Sequence, residues 1–216
     1  MEVMGLQLPG SSFVSPTDPM RDKLTRLASK NILNHTRNTQ DFRPLGKVVN
    51  EKAIVNAIIG LLATGGSTNH TIHLIAIARS AGIIINWDDF DKLSKVIPLL
   101  TRIYPNGQSD INHFQAAGGM GVFIAELLKN GLLHEDLLTV ADQRGMKNYP
   151  QEPKLIEGQL TWESCPENSL DGNVLTTVDN PFAVSGGLHV MHGNLGRGVS
   201  KISAVAEEHQ IVEAPA

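Results

Sequence analysis

The chain has 216 residues, 41% of them hydrophobic and 19% charged, the profile of a packed globular protein with material for one domain or one and part of another. A net charge of −4 supplies no basic footprint, so nucleic acid is not the expected partner; no apolar run reaches the roughly 18–20 residues that cross a bilayer, so a membrane is not expected either. A single cysteine, Cys165, excludes an intrachain disulfide and cannot ligate a metal cluster by itself, which points to a reducing, cytoplasmic setting.

Met1 to Leu6 reads as the tail of a helix stopped by Gly5. Leu8-Pro9-Gly10-Ser11-Ser12 and Ser15 to Pro19 form a loop dense in proline and serine. Asp18 followed by Pro19 is a helix start, and Met20 to Leu33 continues it with Leu24, Leu27, Ala28 and Leu33 on one face. Asn50 caps a second helix, Glu51 to Leu62, whose apolar stripe runs Ile54, Ala57, Ile58, Leu61, Leu62. That helix delivers the chain into Ala63-Thr64-Gly65-Gly66-Ser67-Thr68-Asn69-His70, followed by the run Thr71 to Ala78, which reads as a buried helix ending at Gly82. Ile83 to Ile85 is a short strand candidate. Asp88 caps the next helix, and Pro98 inside its pattern predicts a kink or an early stop. Asn106 to His113 is a second polar cluster at a helix start. Gly118-Gly119 interrupts that helix, Asn130-Gly131 ends its continuation, and Leu137 to Val140 is another strand candidate.

Composition then changes. Gln143 to Leu170 holds three prolines and little periodicity, so 143–172 reads as a linker. Asn173 to Thr177, Leu188 to Met191, Val199 to Val205 and Gln210 to Glu213 look like short strands separated by glycine-rich turns. The expected class is α/β: a helix-rich portion of an α/β domain over 1–142, the linker, and the first strands of an all-β domain over 173–216. With a helix tail at one end and a lone strand near the other, the chain reads as an internal fragment of a longer protein.

Two polar clusters carry the chemical interest. Glycines at 65 and 66 let backbone approach a ligand closely, and the unpaired N–H groups of a helix start receive a carboxylate or phosphate. Ser67, Thr68, Asn69 and His70 are therefore candidate ligand contacts, with Asn106, Asp110, Asn112 and His113 as a second set. Plain helix caps account equally well for both clusters. The sequence fits neither the dinucleotide nor the P-loop glycine pattern. His70 and His73, three apart, have metal-ligand spacing but no third ligand nearby; packing explains them better. Cys165 stands between acidic neighbours, Glu163 and Glu167, which makes it a poor nucleophile. Gly193 to Gly198 reads as a tight turn between strands rather than an anion cradle.

Several motifs in fixed order resemble the dihydroxy-acid/6-phosphogluconate dehydratase family: Leu8 to Ser12, Ala63 to His70, Asn86-Trp87-Asp88-Asp89-Phe90, Tyr104 to Gly107, Asp110 to Gly119, Gly131 to Asp136 and His192 to Arg197. The likeness runs nearly the whole length, and Asn69-His70 with Pro105 to Phe114 resemble the 6-phosphogluconate branch. It implies a cytoplasmic, homodimeric hydro-lyase acting on a phosphorylated sugar acid. Such an enzyme would convert 6-phospho-D-gluconate to 2-keto-3-deoxy-6-phosphogluconate in the Entner–Doudoroff route, and its later domain would be barrel-like. It also implies an iron–sulfur cluster, 4Fe-4S in type, whose iron acts as Lewis acid on the departing C3 hydroxyl; a divalent cation is a further candidate. The family's cluster cysteines precede the segment matching Met1 and its serine base follows Ala216, so no catalytic or metal-ligating residue is expected here. The chain alone is expected to be inactive. Another sugar-acid or dihydroxy-acid dehydratase of the family, or a non-catalytic sugar-phosphate binding module, stays open as an alternative.

Overall fold

A computed structural model of the chain describes residues 1–141, 143–209, 211 and 213. Among these residues the regular structure is seven α-helices, short 3-10 turns and two separate two-stranded antiparallel sheets, the helix-rich α/β stretch expected, and the strands close no barrel. Helices α1 (Pro19–Asn34), α2 (Leu45–Val48), α3 (Glu51–Ala63), α4 (Asn69–Ser80), α5 (Trp87–Ser94), α6 (Ile111–Ala116) and α7 (Gly119–Lys129) precede all the strands.

Helix α3 is the axis of the core. The Asn50 side chain accepts the Ala53 N–H at 3.0 Å, pairing one of the donors that a helix start leaves open. Ten of its thirteen residues are buried, because the 3-10 turn Glu2–Met4, α4 and α5 all close on it. Ile54, Ile58 and Leu62 meet Phe90 of α5, Leu100, and Phe114, Phe123, Ile124 and Leu127 of α6 and α7 in one cluster. Each such side chain removed from water contributes about 1.5–3 kcal/mol. Phe13, Phe114 and Phe123 meet edge to face, with centroids 5.5 and 6.5 Å apart, the arrangement that ring quadrupoles favour.

Local signals placed most helix starts. Asp18 accepts the Met20 N–H at 2.8 Å and Pro19 fills the first position of α1. The cap of α5 is Asn86 rather than Asp88: Asn86 accepts the Asp88 N–H, and Asp89 receives the Asn86 N–H at 2.9 Å in a reciprocal box. Helix α4 is not the buried helix expected. Only Thr71, Leu74 and Ala78 are buried, and Ile72 is 64% exposed. The inner face of α1 is narrower than its pattern implied, since Leu24 is buried but Leu33 is exposed.

Three expected strands do not form. Past Ala81, Gly82 takes φ +78 and the Ile83 N–H turns back to Ala78 O at 2.8 Å, so Ile83 to Ile85 closes a helix instead of joining a sheet. Val140 N–H goes to Gly5 O, so Leu137 to Val140 lies against the opening turn. Residues 173–177 make a single bridge, Leu175 to Thr101. Conversely, the stretch read as a linker carries a hairpin, β1 (Gln151–Ile156) with β2 (Gln159–Ser164). Its two-residue turn is Glu157-Gly158, both at positive φ, the conformation such a hairpin requires. The hairpin covers Leu24 of α1 with Leu160 and Trp162, and Trp162 Nε1 donates to Pro9 O at 2.9 Å. A second hairpin, β3 (His189–Gly193) with β4 (Gly196–Ser200), turns at Asn194-Leu195, which makes the Gly193–Gly198 stretch the tight turn expected. After Ser200 the chain enters a 3-10 turn, Ile202–Ala204, where a strand was expected to continue. The strand expected at 210–213 lies partly outside the described residues.

Candidate functional site

The glycine turn at the end of α3 is held from four sides. Gly65 adopts φ +55, and a Cβ there would collide with the Asn106 amide and stand 2.9 Å from Leu99 Cδ1; only glycine meets both demands. The last carbonyls of α3 find specific partners. Leu100 N–H donates to Ala63 O at 2.8 Å, Thr101 Oγ1 to Thr64 O at 2.9 Å, and Asn106 Nδ2 to Gly65 O at 2.8 Å. Gly187 N–H reaches Leu62 O at 3.3 Å. The turn is thus fixed by backbone and side chains from residues far along the chain.

Beyond the turn, Ser67, Asn69 and His70 are exposed and Thr68 is half-buried. Ser67 Oγ accepts the Asn69 N–H at 3.3 Å, and the Ser67 carbonyl takes the His70 N–H at 3.0 Å. Thr68 occupies the N-cap position of α4 without a side-chain capping bond. Among the described residues no hydrogen bond engages the Thr68 hydroxyl or the Asn69 amide, so both are open to a ligand. A cavity of about 400 Å³ lies beside this segment. Thr64, Gly66, His70 and His73 form one wall, and Ser12 and Phe13 stand among its other, mostly apolar, lining.

The second cluster divides. Asn106 sits on the turn Ile103–Ser109, where Tyr104 N–H donates to Ser109 O at 2.7 Å, and from there it reaches the glycine turn. Its amide oxygen accepts Ser203 Oγ at 2.7 Å, so both ends of the amide are occupied inside the protein. Asp110, Asn112 and His113 form the cap of α6 instead. Asp110 Oδ1 accepts the Asn112 and His113 N–H groups at 2.8 and 3.1 Å, and His113 Nδ1 lies 2.8 Å from the same oxygen. The His113 N–H, foremost, holds the Asp110 carboxyl below the usual aspartate range. Among the described residues no hydrogen bond joins this cap to Ser67–His70.

Sequence reasoning missed Glu2. It is 1% exposed, and its carboxylate accepts Gly10 N–H at 2.7 Å, Ser12 N–H at 3.1 Å and Ser12 Oγ–H at 2.5 Å. Burial pushes its pKa up while those bonds pull it down, burial being the larger effect. The Pro9-Gly10 turn that wraps it was visible in sequence; its acidic centre was not.

A family model for the dihydroxy-acid/6-phosphogluconate dehydratase N-terminal region matches residues 1–148, more than half of the chain. The chain belongs to the dihydroxy-acid/6-phosphogluconate dehydratase family. A phosphogluconate dehydratase of Pseudomonas aeruginosa is 58% identical over 215 residues, which cover 100% of this chain and 35% of that protein. One from Escherichia coli K12 is 56% identical over 216 residues, 100% of this chain and 36% of its own length. A chloroplastic dihydroxy-acid dehydratase of Arabidopsis thaliana is 32% identical, again across the whole chain and 33% of that protein. The chain therefore spans about a third of the length of these family members.

The iron–sulfur cluster that the resemblance implied does not fit the donors present. Cys165 is partly buried, and burial first, then the Glu152 carboxylate, push its thiol pKa up, away from the thiolate that ligates iron. Among the described residues no group of three or more His, Cys, Asp or Glu side chains gathers as a metal site requires. No helix among them is long and apolar enough to cross a membrane.

Proposed function

We propose that the protein to which this chain contributes dehydrates 6-phospho-D-gluconate to 2-keto-3-deoxy-6-phosphogluconate, the step that opens the Entner–Doudoroff route. One observation carries this reading: identity across the whole chain is 58% and 56% to proteins named phosphogluconate dehydratase, against 32% to one named dihydroxy-acid dehydratase. The reaction removes the C2 proton and the C3 hydroxyl as water, and the resulting enol becomes the 2-keto acid. The chain's own share is binding and positioning. Ser67, Thr68, Asn69 and His70 line the sugar-phosphate pocket; of the second set, Asp110, Asn112 and His113 remain candidates for it, and Asn106, whose amide is engaged at both ends, supports it from behind.

The iron–sulfur cluster and any divalent cation that the family resemblance implies would be held by other parts of the protein; Cys165, part-buried beside the Glu152 carboxylate, is a poor thiolate donor. The 216 residues alone bind no cluster and turn over no substrate. The whole enzyme works in the cytoplasm and pairs as a homodimer, as the family resemblance suggests. Its partner is a small phosphorylated acid rather than nucleic acid or membrane. The test is a substrate panel on the protein at full length: 6-phosphogluconate, unphosphorylated gluconate and a branched-chain 2,3-dihydroxy acid. Preference for the phosphorylated acid by at least about tenfold in kcat/KM supports the reading. Equal or better turnover of either competitor replaces it with another dehydratase of the family.

A further inference from the structure

The hydrogen bonds of Asn106 extend past the glycine turn. Ser203 Oγ donates to Asn106 Oδ1 at 2.7 Å, and Asn106 Nδ2 donates to Gly65 O at 2.8 Å. Ser203 also touches Gly187, whose carbonyl lies 3.3 Å from the Ser203 hydroxyl and 3.4 Å from its N–H. Gly187 in turn packs on the turn itself: a Cβ on Gly187 would stand 2.9 Å from Gly65 Cα and 2.6 Å from Ser203 Oγ. Residues 187 and 203 flank the second hairpin, so one of its ends packs on Gly65 directly and the other reaches it through Asn106.

An amide with its oxygen and nitrogen both committed has little left for a ligand. Its orientation is also settled, because Gly65 O accepts only from Nδ2 and the other end must then take the serine proton. The turn so fixed immediately precedes Ser67 and Thr68, whose hydroxyls depend on its backbone for their direction. From this geometry we propose that Ser203 and Asn106 are positioning residues: a two-link chain, Ser203 to Asn106 to Gly65, by which the segment after the second hairpin sets the ligand-contacting residues 67–70. The inference rests on the proposed role of residues 67–70 in substrate binding.

The test uses the protein at full length with Ser203→Ala, Asn106→Ala and the double variant. Steady-state kinetics with 6-phosphogluconate are measured beside hydrogen exchange of the peptide covering residues 62–72. Ser203→Ala is expected to raise KM about 3- to 10-fold, the worth of one neutral hydrogen bond, and Asn106→Ala at least as much because it removes two, with kcat kept within about twofold in both. The double variant is expected to match Asn106→Ala instead of multiplying the two effects, since both remove one chain. Exchange in 62–72 is expected to quicken in all three. Fully multiplicative KM effects, or unchanged exchange in that peptide, overturn the proposal. If Ser203→Ala does not fold, Asn106→Asp carries the test. It keeps the acceptor for Ser203 and removes the donor to Gly65 O, and unchanged exchange there is equally fatal. Quickened exchange with no change in KM leaves the positioning chain standing and removes residues 67–70 from the pocket.

Discussion

Replacing Gly65 by alanine tests whether the turn is held as described. Two costs are separable. The left-handed backbone at φ +55 penalises any L side chain by about 1–2 kcal/mol. The added Cβ would also meet the Asn106 amide and Leu99 Cδ1. Moving Asn106 aside gives up its bonds to Gly65 O and from Ser203, at about 0.5–1.5 kcal/mol each. The expected loss is therefore about 2–5 kcal/mol. Gly82 supplies the control: it has φ +78 and nothing within 4 Å of a built Cβ, so Gly82→Ala should cost only the backbone part, about 1–2 kcal/mol. Urea unfolding of the chain, followed by the fluorescence of its two tryptophans, Trp87 and Trp162, gives both numbers under one set of conditions. If Gly65→Ala costs no more than Gly82→Ala, Asn106 does not lock the turn, and the account of its rigidity is wrong.

Two other expectations follow from the same geometry. Ser67→Ala and Thr68→Ala in the protein at full length should each raise KM for 6-phosphogluconate by about tenfold or more. That is the effect of losing a hydrogen bond to a charged ligand group, about 1.5–3 kcal/mol; an unaltered KM excludes the residue from the pocket. The Arg43 guanidinium, first of several causes, holds the Asp41 pKa down from 3.8 to about 2. A carboxylate depressed in this way lends stability above its unfolded value and loses it as pH falls toward the folded one, so stability should drop between about pH 4 and pH 2. Asp41→Asn should flatten that part of the curve in acid-unfolding titrations; since Asp41 is 32% exposed, solvent screening keeps the effect small. An identical slope in the variant refutes the assignment.

What the sequence revealed was mostly what neighbours in the chain decide. Asp18-Pro19, Asn50 and Asp110 are caps because a short polar side chain reaches an N–H two or three residues on, and that reach needs no tertiary fold. The Glu157-Gly158 hairpin was equally local, yet Pro153 hid it; proline is tolerated there because β1 belongs to a sheet of only two strands. Ile83 to Ile85 misled in the opposite direction, since β-branched residues favour extended backbone but no strand among the described residues lies alongside to pair with them. The candidate site was legible as two polar clusters. Which members serve each other was not, because Asn106 answers to Gly65 at a separation of 41 residues and to Ser203 at 97. Nor did periodicity reveal the buried Glu2, whose partners lie across a turn that closes around it.

The first nine residues are fastened by residues far along the chain. Tyr149 Oη donates to Gln7 O and Trp162 Nε1 to Pro9 O, across separations of 142 and 153 residues. During synthesis at about 5–20 residues per second, the opening stretch must therefore wait roughly 7–30 seconds before its partners leave the ribosome. Closing so wide a gap carries an entropy cost before any contact compensates for it, which places these contacts late in maturation.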